Sequence, residues 1–227
     1  MKKKSIIVIA VILFVLIVDQ LVKFWVKFDF QIEESREFIP KFLQLYFIEN
    51  RGMAFGTTLG DGIWPKYVLS IFRFGAIIGI AIYLRKLILE GKENTSFLIT
   101  ISLIFAGAAG NLLDGVFYDV YFGIDPSIRT NWMLNQFGFP IYDETGNITL
   151  RQGGFLLGSV VDMFQFTVKW PSFMPLGYAG QDIFPFIFNV ADFAISVGVG
   201  IIILRYRRFF KKETLVNPEI TELDLKE

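Results

Sequence analysis

The side chains of this chain that could do chemistry are carboxylates. It contains no Cys and no His, which removes thiol nucleophiles, zinc sites built on those residues, and any Ser-His-Asp triad. Acid–base work therefore falls to Asp, Glu, Lys or Tyr. Asp19, Asp114, Asp162 and Asp192 stand in or beside strongly apolar runs, where a charge is costly and marks a functional candidate. Asn189 precedes Asp192 by one helical turn, and Asn111 stands in the same relation to Asp114, so each pair shares a helix face. Lys23 follows Asp19 at i+4, and Arg73 interrupts another apolar run. Two carboxylates in one pocket can divide the work of peptide hydrolysis. Like charges push one pKa up, so one acid keeps its proton while the other is ionised. The ionised acid takes a proton from water, and the protonated one polarises the scissile carbonyl. That chemistry calls for no metal and no cofactor.

The elements that must carry these residues are membrane spans. Of the 227 residues, 53% are hydrophobic and 17% aromatic, and only 19% are charged, against roughly a quarter in soluble domains. Mean hydropathy is +0.51. Formal net charge is zero, so no global field points to nucleic acid. A spanning helix needs about 20 mostly apolar residues, and residues 5–25, 67–84, 95–113 and 183–204 offer them. The first follows Lys2, Lys3 and Lys4 like a signal peptide, but Val18-Asp19-Gln20 replaces the small residues of a cleavage site, which reads as an uncleaved anchor. Lys2 to Lys4, then Arg85, Lys86 and Lys92, then Arg205, Arg207, Arg208, Lys211 and Lys212 flank the spans on one side. By the positive-inside rule both termini are cytoplasmic, and two segments, about 27–66 and 115–182, lie outside. The expected fold is an all-α membrane protein with four transmembrane helices. Short strands over 38–48 form a surface platform, and an enlarged, aromatic outer loop joins helices 3 and 4. Residues 1–212 make one domain, and 213–227 a loose polar tail.

Counted from the basic flanks at ~1.5 Å per residue, Asp19, Arg73, Asn111, Asp114 and Asp192 lie on the order of 18–28 Å from the inner face. They form one polar layer open to the outside. Asp162, in the apolar run Ser159-Val160-Val161-Asp162-Met163-Phe164, could dip back to it. Blander readings stand beside these. Asp119, Asp125 and Asp143 read as solvated loop acids, since turns favour Asp. Asp114 reads equally as structural support. Asp19 and Lys23 are as well an ion pair snorkelling outward as a substrate-positioning pair. The small residues from Gly107 to Gly110 read as close helix packing. A transporter that binds cations or protons on the same acids, or a binding factor acting through the outer aromatic loop, are the competing classes.

Five blocks carry a family resemblance. They are Val18-Asp19-Gln20-Leu21-Val22-Lys23, Glu49-Asn50-Arg51-Gly52-Met53-Ala54-Phe55-Gly56, Gly107-Ala108-Ala109-Gly110-Asn111-Leu112-Leu113-Asp114, Val161-Asp162-Met163 and Phe188-Asn189-Val190-Ala191-Asp192. In this order they resemble the motifs of lipoprotein signal peptidase, signal peptidase II. The resemblance implies a four-span aspartic endopeptidase of the bacterial cytoplasmic (inner) membrane, with its site toward the outer leaflet. It removes signal peptides from prolipoproteins just before a diacylglyceryl-modified cysteine. By the same resemblance Asp162 and Asp192 are catalytic. Asp19, Lys23, Asn50, Asn111, Asp114 and Asn189 fill supporting or substrate-binding positions, with Arg73 as a further pocket cation. The implied partners are the lipid-modified prolipoprotein and membrane lipid, with no nucleic acid and a monomeric enzyme. Two departures stand out. Gly115 follows Asp114 where the family reads Arg, and about fifty residues separate Asn111 from Asp162 where the family has a short turn.

Overall fold

In the computed structural model, residues 2–51, 64–91, 94–135, 137–175 and 177–210 are described. The order is α1 (Lys2–Asp29), β1 (Ser35–Ile39), β2 (Leu43–Asn50), α2 (Trp64–Glu90), α3 (Thr95–Phe122), β3 (Val160–Phe166), β4 (Ile187–Phe188), α4 (Val190–Leu204) and the single turn α5 (Tyr206–Phe209). Among the described residues α1, α2 and α3 are long and apolar enough to cross a membrane, and α4 is a shorter apolar helix. The Gly52 to Gly56 part of the second motif block and the tail after residue 210 lie outside the described residues.

Helix α1 is apolar nearly all round, yet its buried residues are Val8, Val15, Asp19, Lys23 and Val26, a seam at helical spacing. Ile6, Phe14, Ile17 and Leu21 point outward and are exposed, as lipid-facing side chains are. Helix α3 is the hub, packed against α1, α2 and α4. Asn94 caps it by accepting a hydrogen bond from the Ser96 amide. Its small residues let two neighbours approach closely, as the Gly107 to Gly110 stretch led us to expect. A Cβ on Gly107 would lie 2.3 Å from the Ala191 carbonyl oxygen, and one on Gly110 would lie 2.6 Å from Asp19 Oδ2.

Two helix boundaries depart from expectation. Helix α3 does not give way to an outer loop at Gly115 but runs on to Phe122. It stops at Gly123, whose positive φ of 72° lets its N–H reach the Asp119 carbonyl. Helix α4 begins at Val190 rather than near residue 183. Pro185 disfavours an earlier start, Ile187 and Phe188 pair with β3, and Asn189 caps the helix.

The expected platform is larger than one loop. Four antiparallel strands run in the order β1-β2-β3-β4, so β3 and β4, from the far side of the insertion, complete a sheet begun after α1, and the fold is not purely helical. Val26, Phe30, Leu45, Phe47, Tyr118, Val161 and Met163 bury one apolar cluster between this sheet and the C-terminal ends of α1 and α3. In β2 and β3, Ile48 stands opposite Asp162 and Asn50 opposite Val160. Residues two apart share a face, so Asn50 is a diagonal neighbour of Asp162. The insertion itself is a run of paired turns, with bridges at Trp132↔Leu150, Leu134↔Pro140 and Tyr142↔Ile148.

Candidate active site

The polar residues scattered over the chain converge on one network where β3 meets the first turn of α4. Asp162 is 1% exposed. Its Oδ1 accepts from Asn189 Nδ2 at 2.7 Å and its Oδ2 from Asn50 Nδ2 at 3.1 Å. Asp192 is half-buried, the third residue of α4. Its side chain accepts from the Asn189 backbone N–H, and the Asn189 side chain accepts from the Asp192 N–H, a reciprocal capping box. Asn111 Nδ2 donates to Asp192 Oδ1 at 2.7 Å. Asn111 Oδ1 in turn accepts from Asn189 Nδ2 at 3.0 Å. The two amides thus tie the two carboxylates together.

Behind them Lys23 is wholly buried and anchors three acceptors: Asp114 Oδ2 at 2.7 Å, Asp19 Oδ2 at 2.9 Å and Asn111 Oδ1 at 3.0 Å. A buried cation is costly unless it is paired and hydrogen-bonded, and this one is both. Asp19 Oδ1 accepts from the Ala191 N–H at 2.9 Å, which ties α1 to the start of α4 one residue before Asp192. Asp114 accepts from the Val161 N–H at 3.4 Å, next to Asp162. The Asp19–Lys23 pair therefore faces inward and does not snorkel outward. Gln20, within the first motif block but not singled out from sequence, bridges Asp19, Asp114 and the Tyr118 hydroxyl. A polar residue beside Asp19 in an otherwise apolar helix was the available signal.

Arg73 is half-buried on α2 and interacts electrostatically with Asp192, Asp162 and Asp114. Burial, reinforced by the Asp192 charge, pushes the Asp162 carboxyl up to about 7, against the pull of Asn50, Lys23 and Asn189. The site thus brings together Asp19, Lys23, Asn50, Arg73, Asn111, Asp114, Asp162, Asn189 and Asp192. Asp125 and Asp143 are exposed and cap turns through Ser127 and Thr145. Asp119, expected in a solvated loop, is instead buried on the last turns of α3. Its carboxylate accepts from the two terminal guanidinium nitrogens of Arg151, at 2.6 and 2.9 Å. Among the described residues no group of three or more acids is arranged to hold a metal ion.

The chain is similar to known proteins over most of its length. A family profile for signal peptidase (SPase) II matches residues 11–208. The lipoprotein signal peptidase of Porphyromonas gingivalis is 35% identical over 211 residues, covering 89% of this chain and 83% of that one. The lipoprotein signal peptidase of Amoebophilus asiaticus is 29% identical over 224 residues, covering 95% and 84%. A bacterial membrane enzyme solved by the in meso method superposes with a TM-score of 0.53 at 26% identity, over 91% of this chain and 92% of that chain. With its membrane-spanning helices and its small sheet, the chain belongs to the signal peptidase II family.

Proposed function

We propose that this chain is an aspartic endopeptidase that cleaves diacylglyceryl-modified prolipoproteins before the lipidated cysteine, with Asp162 and Asp192 as its catalytic pair. The observation that carries this reading is the joining of these carboxylates, from β3 and α4, through Asn189 and Asn111. Asp162 holds the proton near neutral pH because burial disfavours its charged form. Asp192, with amide donors from Asn111 and Asn189 and a place in the first turn of a helix, takes a proton from the attacking water. The Asp162 hydroxyl gives its proton to the carbonyl oxygen as the water oxygen bonds to the carbon; when the tetrahedral intermediate collapses, that proton returns to Asp162, the C–N bond breaks, and Asp192 passes its proton to the leaving amine. Lys23, Asp19 and Asp114 keep the amides and the start of α4 in register, and Arg73 biases the pocket toward negative charge.

The same reading takes α4 as a fourth span, both termini as cytoplasmic, and the site as facing the outer leaflet of the bacterial inner membrane. Basic flanks at Lys2 to Lys4, Arg85 and Lys86, and Arg205 to Arg208 support it. Helix α4 starts within the pocket, so its 15 residues cover ~22 Å, enough to reach the inner face from a site at that depth. Residues 1–212 act as one monomeric peptidase domain without a cofactor, and the substrate's acyl chains stay in lipid while its peptide enters laterally. Purified protein should shorten a diacylglyceryl prolipoprotein on a gel, and Asp162→Asn and Asp192→Asn should each stop it. Wild-type cleavage by both variants would sink the assignment.

A further inference from the structure

Beside the catalytic network lies a group of cations of which its chemistry uses only Arg73. Lys66, Ser70 and Arg73 fall at i, i+4 and i+7 on α2, one face of the helix. That face turns inward. Lys66 is 5% exposed and donates to the Arg51 carbonyl at 2.9 Å, and the Ser70 hydroxyl donates to the Leu156 carbonyl at 2.9 Å. Lys66 feels the positive charges of Arg73, Arg51 and Arg151, with Asp119 as the opposing carboxylate, and Asp119 is already taken by Arg151. None of Arg51, Lys66 and Arg73 forms an ion pair among the described residues. Arg51 Nε is, among the described residues, the one buried side-chain nitrogen or oxygen left without a hydrogen-bond partner. Burial together with the nearby Arg151 charge holds the Arg51 guanidinium below its ordinary range. Clustered cations that are buried or half-buried without counter-ions are costly, and an arriving anion offsets that cost.

The position of the cluster says which anion. Arg51 directly follows Asn50, which donates to Asp162, and Arg73 is drawn toward Asp192 and Asp162. Lys66 continues the stripe to the first turn of α2, away from the catalytic pair. A ligand held by all three cations is therefore one that the catalytic pair also holds. We propose that Arg51, Lys66 and Arg73 form a subsite for a carboxylate side chain of the substrate on the mature side of the scissile bond. This rests on the peptidase reading above, in which the acyl chains stay in lipid and the peptide enters laterally, and it adds that the mature segment leaves past the N-terminal end of α2.

Two synthetic diacylglyceryl peptides test it, alike except for Asp-Asp or Asn-Asn in the two positions after the lipidated cysteine. In phosphatidylcholine nanodiscs the wild-type protein should favour the acidic peptide on the order of tenfold in kcat/KM, mainly through KM. Salt should erode the preference, as for any charge contact reached by solvent. Lys66→Gln and Arg51→Gln should each shrink the ratio. A wild-type ratio near one overturns the subsite, and so does a ratio unchanged in both variants. If phosphatidylglycerol speeds both peptides equally and the variants lose that gain, the anion is a lipid headgroup and the subsite proposal fails. If wild-type protein cuts neither peptide, the peptidase reading falls first and takes the subsite with it.

Discussion

Replacing Asp162 with Asn should stabilise the protein at alkaline pH while abolishing cleavage. Asp162 is raised from an ordinary 3.8 to about 7, and each unit of such a shift corresponds to about 1.4 kcal/mol. Between these two values the folded chain binds a proton that the unfolded chain has released, so stability falls as pH rises. By pH 8 the wild-type protein has lost about 4 kcal/mol relative to pH 3, where both states are protonated. An Asn carries no charge and is spared this loss. It keeps an acceptor for Asn189 Nδ2 but opposes an amide to Asn50 Nδ2, now 3.1 Å from Asp162 Oδ2, at a cost of about 1 kcal/mol. The net gain at pH 8 is about 3 kcal/mol, or roughly 6–12 °C in Tm for a chain of this size. Near pH 4 the gain should vanish and turn slightly negative. Thermal unfolding of wild type and Asp162→Asn in the same detergent, followed by tryptophan fluorescence at both pH values, reads this directly. A Tm difference that is the same at pH 4 and pH 8 would refute the argument, since no buried carboxyl would then be ionising between them.

Three further outcomes are expected. Cleavage needs the Asp162 proton, so kcat/KM for a diacylglyceryl prolipoprotein should fall as pH rises through about 7, with the slope of a single ionisation; a profile flat to pH 9 would contradict the assigned roles. Arg151→Met should cost about 3–5 kcal/mol, because it leaves Asp119 buried without its partner. Adding Asp119→Leu should recover part of that loss in urea or thermal unfolding, and strictly additive effects would count against the pair. Gly107→Ala sets a Cβ 2.3 Å from the Ala191 carbonyl and 2.7 Å from Ile195 Cγ1. Since backbone cannot yield cheaply, α4 must shift and carry Asp192 away from Asn111, lowering cleavage on the order of 10²-fold; an unimpaired variant would mean that this helix contact does not hold the site.

Local patterns made the first three spans legible, because an uninterrupted apolar run of sufficient length has few other uses. The polar layer was legible for a similar reason: polar groups are costly in such runs, so Asp19, Asn111, Asp114 and Asp192 stood out even beside their blander readings, and simple rise per residue puts them at one depth. Pairing across distance was not legible. Residues 183–189 are as apolar as the helix that follows them, and nothing local says that Ile187 and Phe188 hydrogen-bond to β3 while Asn189 closes the helix with its side chain. Lys23 looked half like an i,i+4 surface pair. Its role as a buried junction depends on Asn111 and Asp114, which arrive from another helix.

The two departures from the family pattern meet in one place. Chain leaves α3 after Phe122 and returns to β3 at Val160, yet the ends of the insertion stay close. The Gly158 N–H donates to the Gly115 carbonyl at 2.9 Å and the Leu156 N–H to the Val116 carbonyl at 3.3 Å. Closing a longer loop adds little entropy cost once its ends are fixed, so the extra residues need not move Asp162. The return is fixed electrostatically by Arg151. It grips Asp119 on α3, Asn131 near the start of the insertion through Nε at 2.7 Å, and Ser159 Oγ at 3.5 Å, one residue before β3. A Cβ on Gly158 would lie 2.3 Å from the Asp114 carbonyl oxygen, so the returning chain presses against the backbone where Gly115 stands in place of the family's Arg. The Arg151 guanidinium thus sits one helical turn beyond Gly115, bound to an acid on the last turns of α3. The apparent loop acid at Asp119 is the α3 end of a buried ion pair whose cation also reaches Ser159, one residue before the strand that carries Asp162.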